Sequence, residues 1–155
     1  MPNKSVIFYS ISSEFSIFAL KLIEKTYDTG ENILFLCDND DEVQFFDSRL
    51  WIYSRLSFIP HGSKFSLSNS DATFCQTWVS SEIEFVNAPQ SLLHNGFDSL
   101  EYEKIRNFEK VIDVFDKKTI ESAKKRAELY KDIGFASQKL WEQNGALWTA
   151  GSLLS

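Results

Sequence analysis

Along the first half of the chain, short unbroken apolar runs alternate with longer stretches in which apolar residues return every three or four positions. Ser5 to Ile11 predicts a strand. After a Ser12-Ser13-Glu14 cap signal, Phe15, Phe18, Ala19, Leu22 and Ile23 repeat with helical spacing until Thr29-Gly30 ends the helix. Asn32 to Cys37 predicts a second strand, and the acidic turn Asp38 to Asp41 leads into a helix from about Glu42 to Tyr53. Parallel strands need crossover connections, which the intervening helices supply. The pattern therefore predicts an α/β, Rossmann-like three-layer fold, with a mostly parallel sheet of about five strands covered by helices.

The clearest strand and helix stand next to each other further on. Val111, Ile112, Val114 and Phe115 form a β-branched and aromatic run that Asp116 ends. From Lys117 to Ile133, Ile120, Ala123, Ala127 and Tyr130 make one apolar stripe that should face the sheet. Gly134 is the stop, and Phe135 can fold back on the last turn. Between the halves, Pro60 forces its predecessor into extended geometry, and Ser63 to Asp71 is a polar loop. Thr73 to Val79 and Ile83 to Val86 predict two further strands, followed by an irregular region with Asn95-Gly96 as a turn. Leu100 to Ile105 is at most a short helix. In the tail from Ala136, the positions of Leu140, Trp141, Leu147 and Trp148 predict a last short helix. No repeat or linker divides the 155 residues, so one domain spans 1–155.

Composition narrows the function classes. A hydrophobic content of 43% is enough for a full core, and a net charge of −6 argues against wide gripping of phosphate backbones. Cys37 and Cys75 lie in apolar runs without metal-ligand spacing and read as buried thiols, which fits a cytoplasmic setting. Neither a membrane span nor a secretion signal is expected.

Reactive chemistry is hard to find. There is no G-x-S-x-G, Walker, H-E-x-x-H or C-x-x-C pattern, and His61 and His94 read as loop hydrogen-bonders. The strand-to-helix turns YSISSEF and CDNDDEV lack the glycine that lets backbone approach a phosphate. Neither a cofactor nor a metal is therefore expected. Asp38, Asp40, Asp41 and Glu42 either complement a helix N-terminus or hold a divalent ion; the second reading would make the protein a small Rossmann-like enzyme or a nucleotide or metal sensor acting at 38–42. Lys117, Lys124 and Lys131 fall on one helical line, seven residues apart. That line is either a solvated face neutralised by Glu121 and Glu128 or a docking surface for an acidic partner. Trp51 and Phe58 are either core or the lining of a shallow apolar groove.

Three stretches together carry a family resemblance. VIFYSI, LWIYSRLSFIPHG, and VIDVFD followed by AKKRAELYKDIGF resemble the chi subunit of bacterial DNA polymerase III over roughly Val6 to Trp141. The resemblance implies a non-catalytic accessory subunit in DNA replication that links the clamp-loader complex to single-stranded DNA-binding protein. Its expected partners are a psi-like subunit and the acidic, Phe-ended tail of that binding protein. By position, Trp51, Phe58 and Lys124 match the family's tail site, Lys131 or Lys117 stands nearby, and Arg126 matches a family arginine as a secondary candidate. Ile120 and Glu128 stand where the family can carry basic residues, which makes this surface less positive. Arg126 also lies about 160° around the helix from Lys124. Residues 142–155 extend past the resemblance.

Overall fold

The computed structural model describes residues 4–53 and 60–154. Seven of the predicted elements form where the pattern put them. They are β1 (Ser5–Ile11), α1 (Phe15–Tyr27), β2 (Ile33–Leu36), α2 (Asp40–Tyr53), the short α4 (Tyr102–Ile105), β6 (Lys110–Asp116) and α5 (Ile120–Asp132). A 3-10 turn over Lys117–Thr119 opens α5, where Asp116 Oδ1 accepts a hydrogen bond from the Lys118 amide at 2.9 Å. Gly134 then takes a φ of 106°, and the Phe135 amide folds back to donate to the Tyr130 carbonyl.

The remaining elements are β3 (His61–Gly62), α3 (Asn69–Ala72), β4 (Thr77–Ser80), β5 (Ser91–His94), β7 (Ser137–Asn144) and β8 (Leu147–Gly151). Among the described residues the sheet thus has eight strands rather than about five, in the order β3-β4-β2-β5-β6-β1-β7-β8. Every pairing is parallel except the last, β7 with β8.

The extended segment at Pro60 adds the two-residue β3, the predicted strand Thr73 to Val79 forms as the shorter β4, and three corrections account for the rest of the difference. Ile83 to Val86 is not a strand, because the place beside β2 is taken by β5, within the region read as irregular. The segment instead lies over the sheet, with Glu84 accepting a 2.7 Å hydrogen bond from the Trp78 indole and the Phe85 ring tilted against Phe108 at 4.8 Å. The tail is a hairpin and not a helix. Its two-residue loop, Gly145-Ala146, uses a positive φ of 64° at Gly145 only, the geometry of a loop whose first central position demands glycine.

Two cores lie on the two faces of the sheet. One packs α5 through Ala123, Ala127 and Tyr130 onto Phe8, Val111 and Phe115. The other packs α1 and α2, through Ile23, Val43, Phe46 and Leu50, onto Phe35, Ile112 and Val114. Helices on both faces of a mainly parallel sheet give the expected three-layer arrangement. Among the described residues no helix is long and apolar enough to cross a membrane.

Candidate functional site

The strongest polar feature is internal. Asp113, in the middle of the apolar strand β6, is fully buried and accepts two hydrogen bonds from Arg126 on α5: Nε to Oδ2 at 2.8 Å and Nη2 to Oδ1 at 3.0 Å. Arg126 spans from there to Asp98 at 2.8 Å. The Tyr130 hydroxyl donates to Asp113 Oδ2 at 2.9 Å and lies 2.7 Å from His94 Nε2. His94 Nδ1 accepts from the Phe97 amide at 3.1 Å, so the ring proton sits on Nε2 and is donated to Tyr130. Each of these donor atoms thus has an acceptor, and the network fixes α5 to the sheet.

The structure therefore moves His94 and Arg126 from their expected roles. His94 is a strand residue with no solvent exposure, not a loop residue. Arg126 is 2% exposed and fully engaged by Asp113 and Asp98, so its guanidinium is not on the surface that carries Lys124. Sequence held the signal for both. An acid inside a strand that is otherwise apolar needs a buried partner, and Arg126 shares the stripe of Ala123, Ala127 and Tyr130.

Burial pushes the His94 imidazole below its ordinary value, Arg126 adds to that, and Asp113 opposes it. Burial and Asp113 push the Tyr130 phenol up. Since the folded value of His94 lies below the unfolded value of 6.5, the unfolded chain takes up a proton that the folded chain refuses. This site costs nothing above that pH, but below about 6.5 it removes up to ~1.4 kcal/mol of stability per pH unit. Ring resonances of His94 should accordingly stay in the neutral form as the pH falls through 6.5. Urea midpoints should fall between pH 7.5 and 5.5; a histidine at position 94 that titrates normally would contradict this.

On the outer face of α5, Lys124 and Lys131 are exposed. Lys124 lies 3.4 Å from Glu121, and Lys117 donates to Asn144 Oδ1 at 3.1 Å. The lysine line exists, partly tethered by its own chain. Trp51 is 53% exposed at the end of α2, its ring against that of His61 at 4.6 Å, with Phe45 and Ile52 exposed on the same helix. Here the expectation of one hollow fails: α2 packs on one face of the sheet and α5 on the other, so Trp51 and Lys124 do not line a common pocket. Phe58 falls in 54–59, outside the described residues.

The acidic turn is occupied by its own helix. Asn39 Oδ1 accepts from the Glu42 amide at 2.9 Å and Glu42 Oε1 accepts from the Asp38 amide at 3.1 Å, a reciprocal cap, while Asp40 holds Lys64 and Ser81. Among the described residues, no group of three or more His, Cys, Asp or Glu is arranged to hold a metal ion. A crevice of about 280 Å³ opens nearby, at the carboxyl ends of β2, β4 and β5, where open α/β sheets commonly bind ligands. Its charged lining is acidic: Asp38, Glu82, Asp98 and Glu101. Four carboxylates suit no nucleotide phosphate. Both cysteines are buried and free, and burial raises the pKa of each thiol.

Comparison with known proteins adds a family. A family model described as DNA polymerase III chi subunit, HolC, matches residues 3–138. A curated relative, "Probable DNA polymerase III subunit chi" of Rickettsia prowazekii (strain Madrid E), is 41% identical over 58 residues, which is 37% of this chain. That alignment spans 35% of the relative's length.

Proposed function

The chain belongs to the DNA polymerase III chi subunit family, and from that premise we propose that it is a non-catalytic adaptor joining the clamp-loader complex to single-stranded DNA-binding protein. At the coarser level it is an accessory replication subunit. The observation that carries the finer reading is a row of exposed lysines on α5 of a chain with net charge −6. An acidic tail would be drawn to that row and repelled by the protein at large.

A linker must hold two partners at once, so two separate surfaces suit it better than one. In this reading Lys124 and Lys131 receive the carboxylates of the binding protein's tail. The exposed rings of Phe45 and Trp51, with Ile52, receive the psi-like subunit on the other side of the sheet. Arg126 acts only by holding α5 in place.

Calorimetry with a peptide of the binding protein's last residues tests this. Exposed ion pairs are worth ~0–1 kcal/mol, so Lys124→Ala should weaken the tail by up to about fivefold. Lys124→Glu should weaken it further, and Trp51→Ala should leave it unchanged. A tail that binds Lys124→Glu as tightly as the parent would overturn the assignment.

A further inference from the structure

A second groove lies between α1 and the C-terminal hairpin, on the face of the sheet away from the α5 lysines. It holds about 500 Å³, inside the roughly 300–1,000 Å³ of small-ligand sites. Its wall is a cluster of three rings: Tyr9 and Phe18 at 5.1 Å, Phe18 and Trp148 at 5.6 Å, and Tyr9 and Trp148 at 5.8 Å between centroids. Trp148 remains 38% exposed, and Ile17, on the rim, 52%.

Charge selects what fits there. The charged residues that line the groove are Lys21 and Lys25, which follow Ile17 at four-residue intervals and so stand in one row along the rim. Both are exposed, and among the described residues neither forms an ion pair. Two unpaired ammonium groups beside an aromatic wall, on a protein with six more acids than bases, form a local positive site. Trp141 and Trp148 come from beyond residues 3–138, the part matched by the family model, so the hairpin builds this groove onto the family's domain.

We propose that this groove binds a short acidic peptide segment of another protein, with a large apolar side chain seated against Trp148 and flanking carboxylates on Lys21 and Lys25. The ring burial supplies affinity and the lysines fix direction and exclude basic partners. The inference does not rest on the α5 assignment and uses a different helix.

The test is an amide and indole NMR titration of the full chain with the synthetic peptide Asp-Asp-Phe-Leu-Asp, and with Lys-Lys-Phe-Leu-Lys as control. Shifts are expected at Ile17, Lys21, Lys25 and the Trp148 indole, with the basic peptide giving none. The Lys21→Glu, Lys25→Glu double variant should weaken the acidic peptide at least tenfold while its unliganded spectrum stays that of the folded parent. Trp148→Ala should also reduce binding. Shifts confined to Lys124 and its neighbours would overturn the groove and leave the α5 tail reading standing. Absence of shifts, equal binding of the basic peptide, or concentration-dependent broadening of the groove without peptide, which marks self-association, would each overturn it as well.

Discussion

Replacing Asp113 with alanine is expected to lower the melting temperature by roughly 6–20 °C, the consequence of losing about 3–5 kcal/mol when one partner of a buried ion pair is removed from a chain of this size. The cost arises from what is left behind. Arg126 keeps its charge at 2% exposure with only the more exposed Asp98 to balance it, and the Tyr130 hydroxyl loses its acceptor. Arg126→Met should cost less than Asp113→Ala, because Asp113 retains the Tyr130 hydroxyl as a donor. Tyr130→Phe removes two hydrogen bonds, the one donated to Asp113 and the one accepted from His94, and should cost about 1–3 kcal/mol. A double variant, Asp113→Leu with Arg126→Met, should recover part of the loss, since an apolar pair of similar volume avoids desolvating two charges. Thermal melts by circular dichroism rank the four variants, and an Asp113→Ala protein that melts within 2 °C of the parent would refute the role assigned to the network.

This network also marks how far sequence reasoning could reach. Elements with a single dominant period were legible: β1, β6 and the stripe of α5 follow from β-branched runs and three- to four-residue returns. The four-residue strand Ser91–His94 was not, because a buried parallel strand need not alternate and this one sits between Pro89 and the Asn95-Gly96 turn, both of which read as loop. Ile83 to Val86 was over-read for the opposite reason. It has strand composition, yet Glu84 serves the Trp78 indole and Phe85 the Phe108 ring from outside the ladder. In the tail, Leu140, Trp141, Leu147 and Trp148 have helical spacing by coincidence, and the decisive signal was Gly145, the glycine that the first loop position of this hairpin requires.

The site was less legible than the fold because it depends on which face of the sheet each helix occupies. Trp51 and Lys124 were joined by resemblance, and neither periodicity nor spacing says that α2 and α5 pack on opposite sides. The α1 groove was invisible for a related reason: Lys21 and Lys25 become part of a site only when the hairpin brings Trp148 beside them.

That hairpin should matter for folding as well. Cutting the chain after Ala136 is expected to abolish cooperative folding, whereas cutting after Asn144 should leave a folded protein of reduced stability. Along β1, Ser5 through Ser10 pair in register with Ser137 through Glu142, so the first cut turns an interior strand into an open edge with a row of unsatisfied backbone groups. It also removes Leu140, 2% exposed in the core with α5, and the Gln138 amide that donates to the Ala127 and Phe135 carbonyls at 2.8 and 3.0 Å. Uncovered, β1 would invite pairing between molecules, and the expected product is aggregated or molten. The second cut keeps β7 and the Gln143 side chain, whose Oε1 accepts from the Ser12 and Ser13 amides ahead of α1, a turn that lacks a side-chain cap of its own. What it loses is Trp148 against Tyr9 and Phe18, aromatic contacts worth about 0.5–1.5 kcal/mol each beyond the area buried. Expression of both truncations, followed by size-exclusion chromatography and urea unfolding of the soluble one, separates the two roles. A monomeric, cooperatively unfolding protein from the shorter chain would mean that the sheet closes on β1 without β7.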